Sequence, residues 1–239
     1  MCDAGQQNGI YGGTCGEDCT TENIPFCGDG ILQDDYETCE AGEVNNDGVA
    51  CNPDHCQWGD SRYIFVSSAT VPGSLASDLI PDNMTGLARA DTLCQVLAVG
   101  AGLSGSYYAW LSDNNNIPGY SNAAERIGGA QDGQDVLYVM PQGGVVVAHG
   151  WAELVANGPA AAVIRTETGD LVEPMLALVW SNTSAAGSSL GGLACDNWTS
   201  DNNFGSTGLT TTGVAWTNFD VDACDKATLH IYCIEGQKK

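Results

Sequence analysis

Basic residues are nearly missing from this chain. Seven lysines and arginines stand against 30 aspartates and glutamates in 239 residues, for a formal net charge of −23. Nucleic-acid backbones are held by basic patches, and none is present, so nucleic acid is excluded as a partner. Anionic lipid surfaces are excluded for the same reason. Long apolar runs are missing too. No segment approaches the ~20 apolar residues of a membrane-spanning helix, so no membrane span is expected. A basic and then apolar leader is lacking, because Cys2 follows Met1 at once. Cys2 already lies inside a repeated motif, so the natural protein is expected to extend further N-terminally within a larger parent. Histidine is scarce, at three residues. No Ser-His-Asp order, histidine metal spacing or phosphate-binding glycine loop appears. These absences lead to the expectation that the chain is not an enzyme.

Acids and cysteines are abundant instead. The acidic surplus reads either as a solvated surface or as carboxylates gathered around Ca²⁺. Eleven cysteines with so little lysine point to an oxidising compartment, extracellular or at the cell surface. Seven of them (2, 15, 19, 27, 39, 51, 56) lie in the first 56 residues, and the other four (94, 195, 224, 233) are spread over the remainder. That split sets the expected organisation: a truncated Cys-rich repeat at 1–24, a complete one at 25–58, and a larger domain at 59–239.

The repeats announce themselves in two eighteen-residue stretches, "CDAGQQNGIYGGTCGEDC" (2–19) and "CEAGEVNNDGVACNPDHC" (39–56). Each opens on Cys, an acid, Ala and Gly, and each closes on a pair of nearby cysteines. With few large apolar residues, such a segment needs disulfides, metal or both to hold a shape. Zinc favours two close cysteine pairs in one site. Each unit offers one close pair only, so disulfides are the better reading. The acids between the cysteines suggest more. "CGDG", "DDYETCEAGE" and "NNDG" set hard oxygen ligands around glycine turns, and Ca²⁺ takes about six to eight such oxygens. Asp29, Asp34, Asp35, Glu37, Glu40, Asn46 and Asp47 are the candidate Ca²⁺ ligands. Plain turn chemistry is the competing explanation for the same residues. "CGDGILQDDYETCEAGEVNNDGVAC" resembles the short tandem Cys-rich repeats of large secreted bacterial proteins, and is similar to Notch-type repeats. This chain carries Glu40-Ala41 where that family shows two aspartates. The first unit lacks its opening cysteine, so one of Cys2, Cys15 and Cys19 is expected to be unpaired.

The large domain mixes helix and strand. "RYIFVSS" (62–68) alternates and is β-branched, which predicts a strand. Residues 85–103 carry apolar side chains at 87, 90, 94, 97 and 101, the spacing of a helix with one buried face, with Cys94 on that face. Residues 107–113 are expected to form a short buried strand or a turn entry, with further strands at 136–140, 144–150, 176–181 and 227–235, a hairpin turn at "PQGG" and a short helix at 151–158. Residues 181–222 form a long Gly, Ser, Thr and Asn-rich tract with little regular pattern. A loop tract of that length inside a domain is unusual unless it is functional or stapled. The order predicts an α+β fold.

"GLARADTLCQVLAVGAGLSGSYYAWLSD", "HGWAELVANG", "LVWSNTSAAGSSLGGLACDNWTS" and "ACDKATLHIYCIE" resemble segments of endostatin, a branch of the C-type lectin-like fold, in the same order and over about residues 62–236. The resemblance implies an endostatin-like fold and the disulfides Cys94–Cys233 and Cys195–Cys224. Endostatin's heparin affinity uses surface arginines and its zinc site uses N-terminal histidines; neither set is present here. His149 and His230 fall in strand-like contexts and are read as structural. The lectin-like fold also hosts sulfatase-modifying oxidases that need a reactive cysteine pair, whereas all four domain cysteines here are assigned to disulfides. The sugar-binding Glu-Pro-Asn triplet of lectins is absent. "WTNFDVDAC" and "CDNWTSDNN" are a looser echo, and they make Asp196, Asn197, Trp198, Asp201, Trp216, Asn218 and Asp220 candidate ligand-binding residues: carboxylates and amides for Ca²⁺ or sugar hydroxyls, tryptophans for stacking. Packing of the tryptophans under the loop is the competing explanation. Asn83, Asn182 and Asn197 head glycosylation-type triplets; the bacterial source that the repeat resemblance implies would make them chance matches. The functional expectation is a binding or adhesion module, with a recognition head on a repeat stalk and an extracellular glycan or protein ligand. The alternative is a structural subunit that self-associates into a surface layer or fibre.

Overall fold

In the computed structural model, residues 28–32, 37, 39–40, 51–52, 56–58, 60–81, 83–131, 136–142, 145–172 and 176–237 are described. A five-stranded sheet organises the larger part. Its strands are β3 (Ser61–Val66), β4 (Tyr107–Ala109), β5 (Leu137–Val139), β6 (Val146–His149) and β10 (Tyr232–Glu235), in the order β4-β10-β3-β5-β6. β10 runs antiparallel to both β3 and β4, β3 pairs parallel to β5, and β5 and β6 form an antiparallel pair. A short pair, β1 (Cys51–Asn52) and β2 (Gln57–Trp58), precedes it.

Strand alternation builds two cores. Side chains of successive strand residues point to opposite faces. Phe65, Tyr107, Ala109, Ile231 and Cys233 therefore lie in one apolar cluster, and Ile64, Val66, Trp110, Tyr232 and Ile234 in the other. The first cluster is covered by α1 (Gly86–Gly100), whose buried residues Leu87, Ala90, Cys94 and Leu97 recur at helical spacing. The second takes Trp151 and Leu154 from α3 (Gly150–Asn157) and Ile127 from α2 (Ala123–Ile127). Between α1 and α2, Arg126 pairs with Asp91 at 2.9 Å. Arg126 also donates to the carbonyls of Tyr120, Ala109 and Leu111.

The long tract expected to be irregular holds two strands. β8 (Phe204–Leu209) and β9 (Asp220–Ala223) join β7 (Leu178–Trp180) in a three-stranded antiparallel sheet. Composition hid β8 because packing demands glycine there. A Cβ on Gly205 would lie 2.7 Å from the Cys195 Sγ and 2.8 Å from the Trp180 ring; one on Gly208 would lie 2.1 Å from the Trp216 carbonyl oxygen. Small residues let the strand run tightly between a disulfide and two tryptophans. The architecture is α+β, with helices packed on the sheet rather than alternating with it.

Disulfides join Cys94 of α1 to Cys233 of β10, and Cys195 to Cys224 at the end of β9. Cys39 is joined to Cys51, and these two cluster with Cys56 apart from the two larger cores.

Candidate ligand-binding loop face

Loop residues 113–117, which follow β4, meet residues 182–193 and 194–203, which lie between β7 and β8. What holds them is a buried polar network of serine, threonine and asparagine. Ser112 is its hub. Its carbonyl accepts from Trp198 Nε1 at 2.8 Å and from Asn182 Nδ2 at 3.2 Å, and its hydroxyl oxygen accepts from Thr183 Oγ1 at 3.0 Å. Beneath, Trp110 Nε1 donates to Thr217 Oγ1 at 2.7 Å, and Thr217 Oγ1 donates to the Thr183 carbonyl at 2.7 Å. Networks that satisfy each member in a low-dielectric interior specify one arrangement, because every alternative strands a polar group.

Above this base the loops clamp one another through amides. Asn114 N–H donates to Asn197 Oδ1 at 2.8 Å, Asn197 Nδ2 donates to Asn115 Oδ1 at 3.1 Å, and Asn114 Nδ2 donates to the Gly192 carbonyl at 2.8 Å. Asn182, fully buried, receives the Gly192 N–H on its Oδ1 at 3.1 Å.

Among the described residues, the backbone at Cys195–Trp198 stands out. Cys195, Asp196, Asn197 and Trp198 all have positive φ, at 46°, 54°, 59° and 62°, making one turn of left-handed helix closed by Trp198 N–H donating to the Ala194 carbonyl at 2.7 Å. For residues with a Cβ this conformation costs roughly 1–2 kcal/mol each, and only asparagine and aspartate adopt it readily. The sequence is suited to it in the middle, at Asp196 and Asn197, and is forced into it at both ends. Cys195 is held by its disulfide to Cys224, and Trp198 by full burial and its bond to Ser112. Strain of this kind persists where the surroundings over-determine it, and it gathers at functional sites.

The turn opens onto a depression of about 410 Å³ whose wall includes Asn114, Leu193, Asp196, Asn197, Asn203 and Phe204. Asp196 is exposed and accepts from Asn203 Nδ2 on both oxygens, at 3.2 and 3.1 Å. Phe204 is 53% exposed. Of the seven sequence-predicted ligand residues, Asp196 and Asn197 lie in this wall. Asp201 stands nearby on the surface and accepts from the Ser74 N–H at 3.1 Å. Asn218 and Asp220 are exposed, and Asp220 accepts the N–H of Val221 at 2.9 Å. Trp198 and Trp216 are corrections: both are fully buried, so neither ring offers a stacking face. Their area is what anchors the loops, and Trp216 stacks on Trp110 with ring centroids 4.7 Å apart. Phe204 and Asn114 were missed. "DNNN" and "DNNF" carry the signal, a run of amides beside an aromatic, but nothing in their spacing brings the two segments together.

Of the candidate Ca²⁺ ligands, Asp34, Asp35, Asn46 and Asp47 lie outside the described residues, as do Cys2, Cys15 and Cys19. Asp29 accepts from the Ile31 N–H at 2.8 Å, a turn contact. Glu37 and Glu40 converge with Cys56 within 4.8 Å, but the Cys56 sulfur is disulfide-bonded and so is no thiolate ligand. Two carboxylates are what remains of the set there. His230 is buried, and its Nδ1–H donates to the Ser67 carbonyl at 2.6 Å; burial pushes its pKa below the usual 6.5. Asn182 is too buried to accept a glycan on the folded chain.

No protein-family model matches the chain, and none of the curated proteins compared with it matches.

Proposed function

We propose that the chain is a non-enzymatic binding module of the extracellular space or cell surface, an endostatin-like head of the C-type lectin-like class that follows Cys-rich repeats, and that its loop face takes a glycan. One observation carries the reading: three loops are locked by a satisfied polar network and a left-handed turn around an amide-rich depression with an exposed aromatic at its wall. Sugar sites need convergent amides and carboxylates for hydroxyls and an apolar ring for the C–H face of the sugar, all held in place beforehand. The disulfides of the larger domain and the absence of any membrane-crossing helix among the described residues accord with such a setting. Calcium enters the proposal through the repeats, where Glu37 and Glu40 stand together.

A glycan panel probed with the full chain, with and without EDTA, tests this. Retained spots that survive mutation of the buried network's surface partners, or no spots at all, overturn the loop-face reading. Binding that EDTA abolishes assigns a role to calcium, and binding that EDTA leaves intact removes calcium from the proposal.

A further inference from the structure

The chemistry of the depression selects among sugars. Of the seven lysines and arginines, Lys238 and Lys239 lie outside the described residues, which leaves five. All five are engaged elsewhere. Arg62, Arg126 and Arg165 are buried, Arg89 donates to the Ser74 carbonyl at 3.3 Å, and Lys226 pairs with Asp222 at 2.6 Å. Among the described residues, no cation lines the depression. A sulfated or uronic sugar would therefore find no counter-charge, and would meet the field of a chain at −23.

Among the described residues, Asp196 is the one ionic group in the wall. Asn203 holds it from one side through a single amide nitrogen. A carboxylate has about four acceptor positions, so it retains capacity toward the open side. Phe204, in the same wall, is 53% exposed. A carboxylate next to an aromatic face favours an ammonium group carried on a partly apolar ring, through a charge-assisted hydrogen bond and cation–π attraction. Asn203 presents its side-chain oxygen in the same wall, while the Asn114 amide is taken up by Gly192, Asn182 and Ser189 and serves to fix the wall.

We propose that this depression binds a hexosamine residue with a free ammonium group, such as the glucosamine units of a deacetylated polysaccharide, in preference to its N-acetylated or sulfated counterparts. The ammonium faces Asp196, and the C–H face of the ring lies on Phe204. This rests on the glycan reading of the loop face and adds the charge of the sugar.

The test is isothermal titration of the full chain with three probes: a β-1,4-linked glucosamine tetramer, the N-acetylglucosamine tetramer and a heparin tetrasaccharide. The glucosamine tetramer is expected to bind, and to weaken with added salt and as its amines are neutralised at high pH. Asp196→Asn keeps the left-handed backbone, which asparagine adopts readily, and should weaken binding about tenfold or more. Phe204→Ala, at an exposed site, should weaken it about fivefold or more. Unchanged thermal melts would show that both variants fold. If the N-acetylated tetramer binds as tightly and Asp196→Asn has no effect, the ammonium claim falls while the glycan reading stands. Salt-sensitive binding indifferent to both substitutions means diffuse attraction to an acidic surface and overturns the site. Failure of all three probes overturns this proposal; the reading beneath it falls on the glycan panel instead, by a blank panel or by spots that survive mutation of the loop face.

Discussion

Trp198 and Trp216 look alike in the sequence, and both are fully buried, yet their polar ends differ. Trp198 Nε1 donates to the Ser112 carbonyl at 2.8 Å, while Trp216 Nε1 has no hydrogen-bond partner among the described residues. The Ser112 carbonyl keeps its bond from Asn182 when the indole is lost, so the cost is that of one net hydrogen bond, about 0.5–1.5 kcal/mol. Trp198→Phe should therefore destabilise the chain by that much more than Trp216→Phe in matched urea titrations; equal costs would mean that the Ser112 hub does not hold the loops. Asn197 makes a second case. It accepts from Asn114 and donates to Asn115 while holding a positive φ that alanine tolerates poorly. Asn197→Ala is expected to cost about 2 kcal/mol or more, with Asn197→Gly recovering the backbone part. The glycine variant, if no better than alanine, would show that the left-handed turn is unstrained.

Within the elements, two buried ionisable groups set the measurable responses. Arg126 on α2 ties Asp91 on α1 to three carbonyls at the end of β4 and beyond. Burial pushes the Asp91 carboxyl above its usual range, against the pull of Arg126. Removing one partner leaves the other uncompensated, so Arg126→Ala should lower stability by about 3–5 kcal/mol. A loss under 1 kcal/mol in denaturant titration would contradict that. His230, between β9 and β10, titrates below 6.5 in the folded chain because burial disfavours its charged form. An unfolded histidine takes its proton near 6.5. From there downward the unfolded state binds a proton that the native state refuses, so stability falls as pH drops through this window and is fully retained above it. The wild-type chain should show a steeper fall below about pH 6.5 than His230→Gln does. Parallel curves would place the ring in water.

For the whole molecule, charge and cross-links dominate. At −23 the folded chain repels itself, and salt screens such repulsion over about 8–10 Å at physiological strength. Raising NaCl from low concentration to that level should lift the melting temperature; a fall would mean that specific ion pairs outweigh the net charge. Cys94–Cys233 closes 139 residues and Cys195–Cys224 closes 29. In the chain-entropy account these closures contribute about 5 and about 3.5 kcal/mol. The double alanine variants should rank in that order in guanidinium titrations. A reversed order would mean that the strained turn beside Cys195 depends on its disulfide for more than entropy.

Much of this was legible in the chain itself. Alternation in 62–68 and the helical spacing of 87, 90, 94 and 97 depend on which side chains are apolar, and apolar side chains must face a core wherever that core lies. Strand β3, helix α1, the α+β class and the scarcity of basic groups followed from local pattern and composition. Strand β8 did not, because its glycines answer to Trp216 and the Cys195 disulfide rather than to their own propensity. The roles of the two tryptophans did not either: whether an indole stacks on a ligand or anchors a loop depends on what covers it, and that cover includes Ser112 at Trp198 and Trp110 at Trp216, both far away in the chain. The loop face is a product of such distant contacts. Its residue types were written in "DNNN" and "CDNWTSDNNF", but only the fold brings those two segments side by side and bends one of them left-handed.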